Sequence, residues 1–293
     1  MTDPHPPRRV FSPAREEAEV ANQATSSPQT EDPAYRLAFQ DMDFLLREDL
    51  RPVRFQLELL KPEVLLDEAN IASTLVIYGS ARIPEPEKAD ALIAAASTDS
   101  QRKVAERLKA KSKYYDEARK LARIASRVAP DPDGKKQFVV CSGGGPSIME
   151  AANRGAVDEG EDSIGLNIVL PHEQLPNPYV TPHLSFQFHY FSLRKMHFLI
   201  RARAVAVFPG GFGTFDECFE LLTLIQTGKI KPVPIVLFGR DFWSRVVNFE
   251  ALVEEGTVSA DDLNLFEIVE TAEEAWDYIC ARYAGDEALQ PAC

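Results

Sequence analysis

Residues 204–217 read AVAVFPGGFGTFDE, an apolar run that ends in a glycine-rich turn and continues into a segment with helical character. A short, nearly continuous apolar run of this kind predicts a buried strand that passes directly into a helix. The same order of strand, glycine turn and helix recurs at residues 75–82 (LVIYGSAR) and 138–149 (FVVCSGGGPSIM). Three such units predict an α/β fold with a parallel sheet.

The remainder of the C-terminal two thirds also alternates between apolar runs and helical segments. Further apolar runs lie at residues 164–170, 184–190, 233–238 and 265–269. We therefore expect a Rossmann-like, doubly wound parallel sheet with helices on both faces. Right-handed crossovers then bring the loops after each strand to one edge, where such sheets bind ligands.

Composition divides the chain into four predicted regions. Residues 1–32 are rich in Pro, Ser, Thr, Gln and Glu and predict a disordered tail. Residues 33–72 predict a helical extension broken near Pro52, residues 73–285 a Rossmann-like nucleotide-binding catalytic domain, and residues 286–293 a C-terminal tail.

A strongly basic helix is predicted as an insertion at about residues 101–128. A helix with such a charge could bind polyanions or recruit a partner protein, which would suit a sensor or an assembly factor. Since no aromatic base-stacking pattern accompanies the charges, a solvated or subunit-facing helix is the favoured interpretation.

Charge limits the classes of partner. The formal net charge is −13, from 32 Lys and Arg against 45 Asp and Glu. An acidic chain argues against nucleic acid and against membranes as main partners, whereas a few local donors suffice to bind a small nucleotide. The sequence shows no secretory signal and no apolar run long enough to span a bilayer, so we expect a cytoplasmic protein.

The glycine turn in residues 209–217 has the chemistry of a monophosphate site. Gly210, Gly211 and Gly213 let the backbone approach an anion, and Thr214 adds a hydroxyl at the start of a helix whose free N–H groups attract negative charge. The spacing fits neither a nucleoside-triphosphate loop nor a dinucleotide loop. A turn without a ligand is the alternative, and the second glycine turn on the same edge reduces its weight. By spacing alone, Glu217 is slightly better explained as a carboxylate that complements the helix dipole.

Two segments together resemble the signature of the LOG (LONELY GUY) family of nucleoside 5′-monophosphate phosphoribohydrolases. They are Arg194-Lys195 and residues 209–217, and residues 79–80 and 143–145 match two further family elements. The resemblance implies a homodimer or higher homo-oligomer that hydrolyses the N-glycosidic bond of AMP or N6-modified AMP to the free base and ribose 5-phosphate. It implies neither a cofactor nor a metal, and we find no lysine in a context suited to pyridoxal phosphate chemistry.

The resemblance also implies roles for individual residues. Arg194 and Glu217 match the catalytic pair, and Gly210, Gly211, Gly213 and Thr214 match the phosphate loop. Gly79, Ser80, Gly143, Gly144, Gly145 and Lys195 are expected to contact substrate or phosphate. Arg82 departs from the family pattern, but its position just after a strand makes it a further candidate phosphate ligand, with a surface salt bridge as an equal alternative. A non-enzymatic nucleotide or molybdenum-cofactor carrier is the alternative function, and the presence of both Arg194 and Glu217 favours catalysis.

Overall fold

The structure is a computed structural model and describes residues 11–171 and 175–284. The chain divides into two compact units, Met1–Glu58 and Leu59–Cys293. Residues 1–10 of the predicted disordered tail and the predicted C-terminal tail at 286–293 lie outside the described residues.

The first unit consists of short helical segments. Helices α1 (Ala14–Ala21) and α2 (Pro28–Glu31) fall within the stretch 1–32, and neither contains a buried residue. Helix α3 (Met42–Leu45) follows, and helix α4 (Arg51–Glu68) contains the boundary between the units. The break expected near Pro52 falls at the start of α4, where proline is tolerated because the first helical N–H groups have no partner.

Seven strands form the sheet of the second unit. They are β1 (Thr74–Tyr78), β2 (Val139–Ser142), β3 (Ser163–Ile168), β4 (Ser185–Phe188), β5 (Ala202–Val207), β6 (Ile235–Phe238) and β7 (Glu267–Val269). Their order is β4-β3-β2-β1-β5-β6-β7, and every pairing is parallel. The prediction of a doubly wound α/β fold is confirmed.

Nine α-helices lie between and after the strands in the described part of this unit. They are α5 (Pro86–Ala94), α6 (Asp99–Lys109), α7 (Lys113–Ser126), α8 (Ile148–Asp158), α9 (Phe191–Ile200), α10 (Phe212–Gln226), α11 (Arg240–Val246), α12 (Phe249–Glu254) and α13 (Ala272–Arg282). Among the described residues, no helix combines the length and the apolar character that crossing a bilayer requires.

The basic segment differs from the single inserted helix that we expected. It forms two helices, α6 and α7, separated by a turn at residues 110–112. Helix α7 is a crossover helix of the sheet domain, because Tyr115, Ala118 and Leu121 are buried in the main core beside α8. Small and aromatic residues recur on one face of α7, and this face is buried. The many positive charges on the other face obscured this pattern in the sequence.

The charges on the outer face of α7 are largely paired with carboxylates. Arg119 bonds Asp158, with Nη2 2.7 Å from Oδ1, and Arg123 and Arg127 both bond Glu159 at 2.7–2.9 Å. This pairing explains how a strongly basic helix is accommodated in an acidic chain, and it argues against α7 as a free polyanion-binding surface.

Sheet order determines where the glycine turns lie. Strands β2, β1 and β5 are neighbours, so the turns after Ser142, Tyr78 and Val207 meet at the carboxyl edge of the sheet. The strand order reverses between β1 and β5, which is where doubly wound sheets form a ligand crevice.

The two faces of the sheet have different neighbours. Leu75 and Ile77 of β1 point into the core formed with α7, α8 and α13. Since strand side chains alternate, Tyr78 points to the opposite face, where its ring meets Phe198 of α9 edge-on with centroids 5.0 Å apart. Helices α9 and α10 therefore cover the face on which Tyr78 lies.

Candidate functional site

Backbone hydrogen bonds join the three glycine turns. The N–H of Ser80 donates to the carbonyl of Pro209 over 3.1 Å, and the N–H of Ile148 donates to the carbonyl of Ser80 over 3.3 Å. The side chain of Ile148 also packs directly against Gly79, and the three nearest atoms to an added Cβ there would all belong to Ile148. The turn after β1 thus holds the other two turns in a fixed arrangement.

The predicted phosphate loop leads into α10 without a capping side chain. The helix begins at Phe212, earlier than the Gly213 or Thr214 that we expected, and its N-cap is Gly211. Because glycine offers no side-chain acceptor, the first N–H groups of α10 stay available to an anion. Gly211 and Gly213 are exposed, so a ligand can reach this end of the helix.

Packing explains one glycine of this loop, Gly210, and backbone conformation does not. Among the glycines of the three turns, Gly144 alone has a positive φ, at 71°. Gly210 is required for space instead, because a Cβ there would come within 2.5 Å of the Cβ of Thr214. Thr214 is buried under Gly210, so packing holds it there.

A buried polar network supports the second glycine turn. The N–H of Gly144 donates to Oγ of Ser142 over 3.0 Å, and that hydroxyl donates to Oδ1 of Asn153 over 2.8 Å. Asn177 donates to Asn153 over 2.9 Å and to the carbonyl of Gly145 over 3.0 Å. Buried polar groups that are mutually satisfied fix a loop rigidly. Sequence reasoning missed both asparagines.

Arg194 lies in the first part of α9 and extends across the ends of the strands. Its Nε donates to the carbonyl of Leu166 at 2.7 Å, and its Nη1 is 3.6 Å from Oε1 of Glu217. Its guanidinium also lies over the ring of Phe198. A Cβ added at Gly143 would come within 2.7 Å of its Nη2, so the second turn needs glycine to admit this side chain. Arg194 is thereby held between the Gly143 turn, the Leu166 carbonyl and Glu217.

Glu217 is a largely buried carboxyl with an altered proton affinity. Burial raises its pKa to about 7, and nearby Arg194 opposes that rise without cancelling it. The side chain of Glu217 is 14% exposed, whereas that of the adjacent Asp216 is 60% exposed and pairs with Lys195 on the surface. Of the two neighbouring carboxylates, Glu217 therefore lies inside the site.

Two further polar groups lie under the Arg194–Glu217 pair. Tyr78 is buried, and burial followed by the charge of Glu217 raises the pKa of its hydroxyl well above the usual value. Burial likewise raises the pKa of the Cys141 thiol, so the thiol is protonated. Both come from neighbouring strands, and their residue types gave no sequence signal for this position.

Two of the predicted phosphate ligands, Lys195 and Arg82, are less well placed to contact a phosphate. Lys195 bonds Asp216 at 3.1 Å and Glu220 at 2.9 Å, so its ammonium is already neutralised by α10. Arg82 is exposed, and its backbone N–H donates to Oγ of Ser80 over 3.0 Å. The arrangement centres on Arg194 and Glu217, with Lys195 and Arg82 at its periphery. In the described part of the chain, no group of three or more His, Cys, Asp and Glu is placed to hold a metal ion.

The raised pKa of Glu217 predicts a pH-dependent stability. Unfolding returns the pKa from about 7 to about 4.5, so the folded state binds the proton more tightly. This contribution is fully present below about pH 4.5 and is lost as the pH rises through 7, where the ionised carboxylate costs about 3 kcal/mol. We expect Glu217→Gln to raise the free energy of unfolding by up to that amount at pH 8 and to leave it unchanged at pH 4.

Urea unfolding of the wild type and the variant across this pH range measures the difference. Asp216→Asn is the matched control, since it removes a neighbouring carboxylate that is exposed. A glutamine variant that is less stable than the wild type at pH 8 would show that the burial of Glu217 does not raise its pKa.

Residues 149–279 match the family model described as possible lysine decarboxylase, the family that includes LOG proteins. This range contains Arg194 and the whole of the predicted phosphate loop, and it is shorter than the catalytic domain predicted at residues 73–285. No curated protein matches the chain.

Two solved structures are similar to this chain at low identity and low TM-score. The structural-genomics target TM1055 is 21% identical, with 71% of this chain and 98% of that chain covered and a TM-score of 0.43. A molybdenum cofactor carrier protein from Chlamydomonas reinhardtii is 17% identical, with 72% and 98% covered and a TM-score of 0.41. At these values neither likeness bears on function, and the assignment rests on the sequence family. Over residues 149–279 the chain is similar to the family that includes the LOG proteins.

Proposed function

We propose that this protein hydrolyses the N-glycosidic bond of a purine nucleoside 5′-monophosphate, AMP or N6-modified AMP, to the free base and ribose 5-phosphate. The similarity to the LOG family over residues 149–279 supports a nucleotide-related function. The observation that carries the finer proposal is the buried Arg194–Glu217 pair beside the open N-terminus of α10.

The start of α10 supplies the phosphate site. Its uncapped first turn and the exposed Gly211 and Gly213 offer N–H donors and a positive dipole end to a phosphate monoester. Glu217 lies five residues further along the helix than Phe212, a rise of about 7.5 Å. A ribose bound through its 5′-phosphate at the helix start can therefore present its C1′ to Glu217.

Glu217 supplies the charge that the reaction needs. Breaking the bond from C1′ to the base nitrogen develops positive charge on the ribose ring, and a carboxylate beside the ring stabilises it. The same carboxylate can accept a proton from the attacking water, and the new C1′–O bond forms as the C1′–N bond breaks. A pKa of about 7 suits both the ionised state and this proton transfer at neutral pH.

Arg194 supplies a fixed cation on the other side of the site. Its Nε is occupied by the carbonyl of Leu166, while its terminal nitrogens face Glu217 and the Gly143 turn. From there it can donate to the departing base, which takes up the electron pair of the broken bond, or to the ribose phosphate. In either role the Leu166 contact fixes its position before substrate binds.

A cavity near this edge supports a site for the base. It has a volume of about 450 Å³ and lies at the carboxyl ends of β3 and β4, with Asn167 and Phe186 in its lining. Asn167 also lies against Gly144, whose added Cβ would come within 2.8 Å of its Nδ2. An amide and an aromatic ring are suited to a purine, which offers both hydrogen-bonding edges and a flat face.

The expected homodimer is part of the proposal. Phe191, Met196 and Ile200 of α9 are 54%, 50% and 41% exposed, and Phe212 at the start of α10 is 96% exposed. Apolar side chains at this density on the two helices that carry the site support an interface there.

Base release from nucleoside monophosphates tests the function. We expect the purified protein to release adenine and an equimolar amount of ribose 5-phosphate from AMP, with GMP, IMP and CMP as comparisons and chromatography as the measurement. Adenosine, which lacks the phosphate, should react at least 100-fold more slowly, because binding at α10 positions the ribose. Tight AMP binding without base release from any monophosphate would support the carrier function instead.

A further inference from the structure

A second cavity, of about 430 Å³, lies after β6, between the α6–α7 turn and α11. Its lining brings together cations that are distant in the sequence, Arg107, Lys111, Lys113 and Arg245, and one carboxylate, Asp241. The glycine turns of the proposed active site follow β1, β2 and β5, so this cavity is built from different elements.

Three of these cations are not paired with a carboxylate. Lys113 bonds Glu270 over 3.1 Å. Within residues 11–171 and 175–284, Arg107, Lys111 and Arg245 have no carboxylate within ion-pair distance, and the ammonium of Lys111 donates to the carbonyl of Arg107 over 3.0 Å. The outward-facing cations of α7 are paired with acids, whereas these three line one cavity without a carboxylate partner.

The three cations also repel one another. The pKa of Lys111 is lowered, first by burial and then by the charges of Arg107 and Arg245. The fold therefore holds like charges close together, at a cost that a bound anion would offset.

The walls of the cavity are held in place by packing. Gly239 has φ of 95°, and a Cβ there would come within 2.8 Å of Cζ of Tyr114, so the loop after β6 closes tightly on that ring. The ring of Phe242 in α11 lies tilted against Phe215 of α10 and meets Trp243 edge-on, at centroid distances of 6.3 and 5.4 Å. Tyr114 and Phe242 both line the cavity, which gives it two aromatic surfaces beside its cations.

We infer that this cavity binds a small molecule that carries two or more linked phosphates. Its volume falls within the range of small-molecule sites. Three unpaired cations exceed what one phosphate monoester needs, and guanidinium groups such as those of Arg107 and Arg245 bind phosphate oxygens in pairs. The aromatic walls leave room for a flat ring attached to the phosphates.

Binding of inorganic tripolyphosphate, followed by isothermal titration calorimetry at low salt, tests this site on the full chain. We expect Arg107→Gln/Arg245→Gln to weaken binding at this site at least 100-fold, about tenfold for each cation removed. The control Arg102→Gln/Lys103→Gln makes the same change in net charge on exposed residues of α6 that do not line the cavity, and it should bind within twofold of the wild type. ATP, run in parallel, measures what an attached base adds.

A second readout guards against misfolding. Because Lys111→Gln relieves repulsion, it should melt at or above the wild-type temperature without ligand and should gain less on adding tripolyphosphate. Tripolyphosphate bound at the glycine turns is expected in all variants, so it does not affect the difference between them. The absence of binding to the wild type, or equal binding by the lining and control double variants, would overturn the inference.

Discussion

Replacing Glu217 by glutamine is expected to lower kcat for base release from AMP about 1,000-fold, while the Kd for AMP changes less than about threefold. Glutamine keeps the size and the hydrogen-bonding oxygen of the side chain but removes its negative charge. The charge matters mainly when the ribose becomes cationic, so the loss falls on the transition state and not on ground-state binding.

The adjacent carboxylate provides the control. Asp216→Asn makes the same chemical change one residue away, at a side chain that is 60% exposed and pairs with Lys195. We expect its kcat to stay within about threefold of the wild type. A glutamine variant that retains more than a tenth of the wild-type kcat, with folding verified, would remove Glu217 from the mechanism.

A Glu217→Gln variant that is more stable at pH 8 but does not release base would connect this result to the pH-dependent unfolding described above. The carboxylate that the proposed reaction needs is buried at a cost of about 3 kcal/mol at pH 8. A variant that is more stable and less active is the expected signature of a residue kept for chemistry at the expense of folding.

The parallel sheet could be anticipated because each buried strand has a nearly continuous apolar run. Residues 75–78, 138–141 and 204–208 each precede a glycine turn, and parallel connectivity then required their turns to share an edge. The same pattern did not predict the two helices of the basic segment at residues 101–128. Its charge dominated the pattern, although Ala118, Leu121 and Ala125 already traced a buried face.

The site itself was anticipated in part. The loop glycines and the two charged residues stand in recognisable spacing, whereas the groups that orient them come from remote positions. The carbonyl of Leu166 holds Arg194, and Asn153 and Asn177 hold the Gly144 turn. A single signal was available: Asn153 is a polar residue beside the small apolar residues Ala151, Ala152 and Ala156 of the helical stretch 148–157. Leu166 bonds Arg194 through its backbone carbonyl, so its residue type could not have predicted this contact.

Replacing Arg194 by methionine is expected to lower kcat/KM for AMP about 1,000-fold and to shift its pH dependence. Ionised Glu217 is the active form in the proposed reaction, so kcat/KM should rise through a pH near 7 in the wild type. Arg194 lowers the pKa of Glu217, so its removal raises that pKa and moves the acid limb to higher pH.

Arg194→Lys separates charge from geometry. Lysine keeps a cation near Glu217, so the acid limb should stay closer to its wild-type position, but one ammonium cannot both bond the Leu166 carbonyl and face the Gly143 turn. We expect kcat/KM of this variant to fall about 100-fold. Steady-state kinetics from pH 5 to 9 measure both properties. If methionine and lysine shift the acid limb equally, or if neither shifts it, the charge of Arg194 does not control the ionisation of Glu217 and the two residues do not act as a pair.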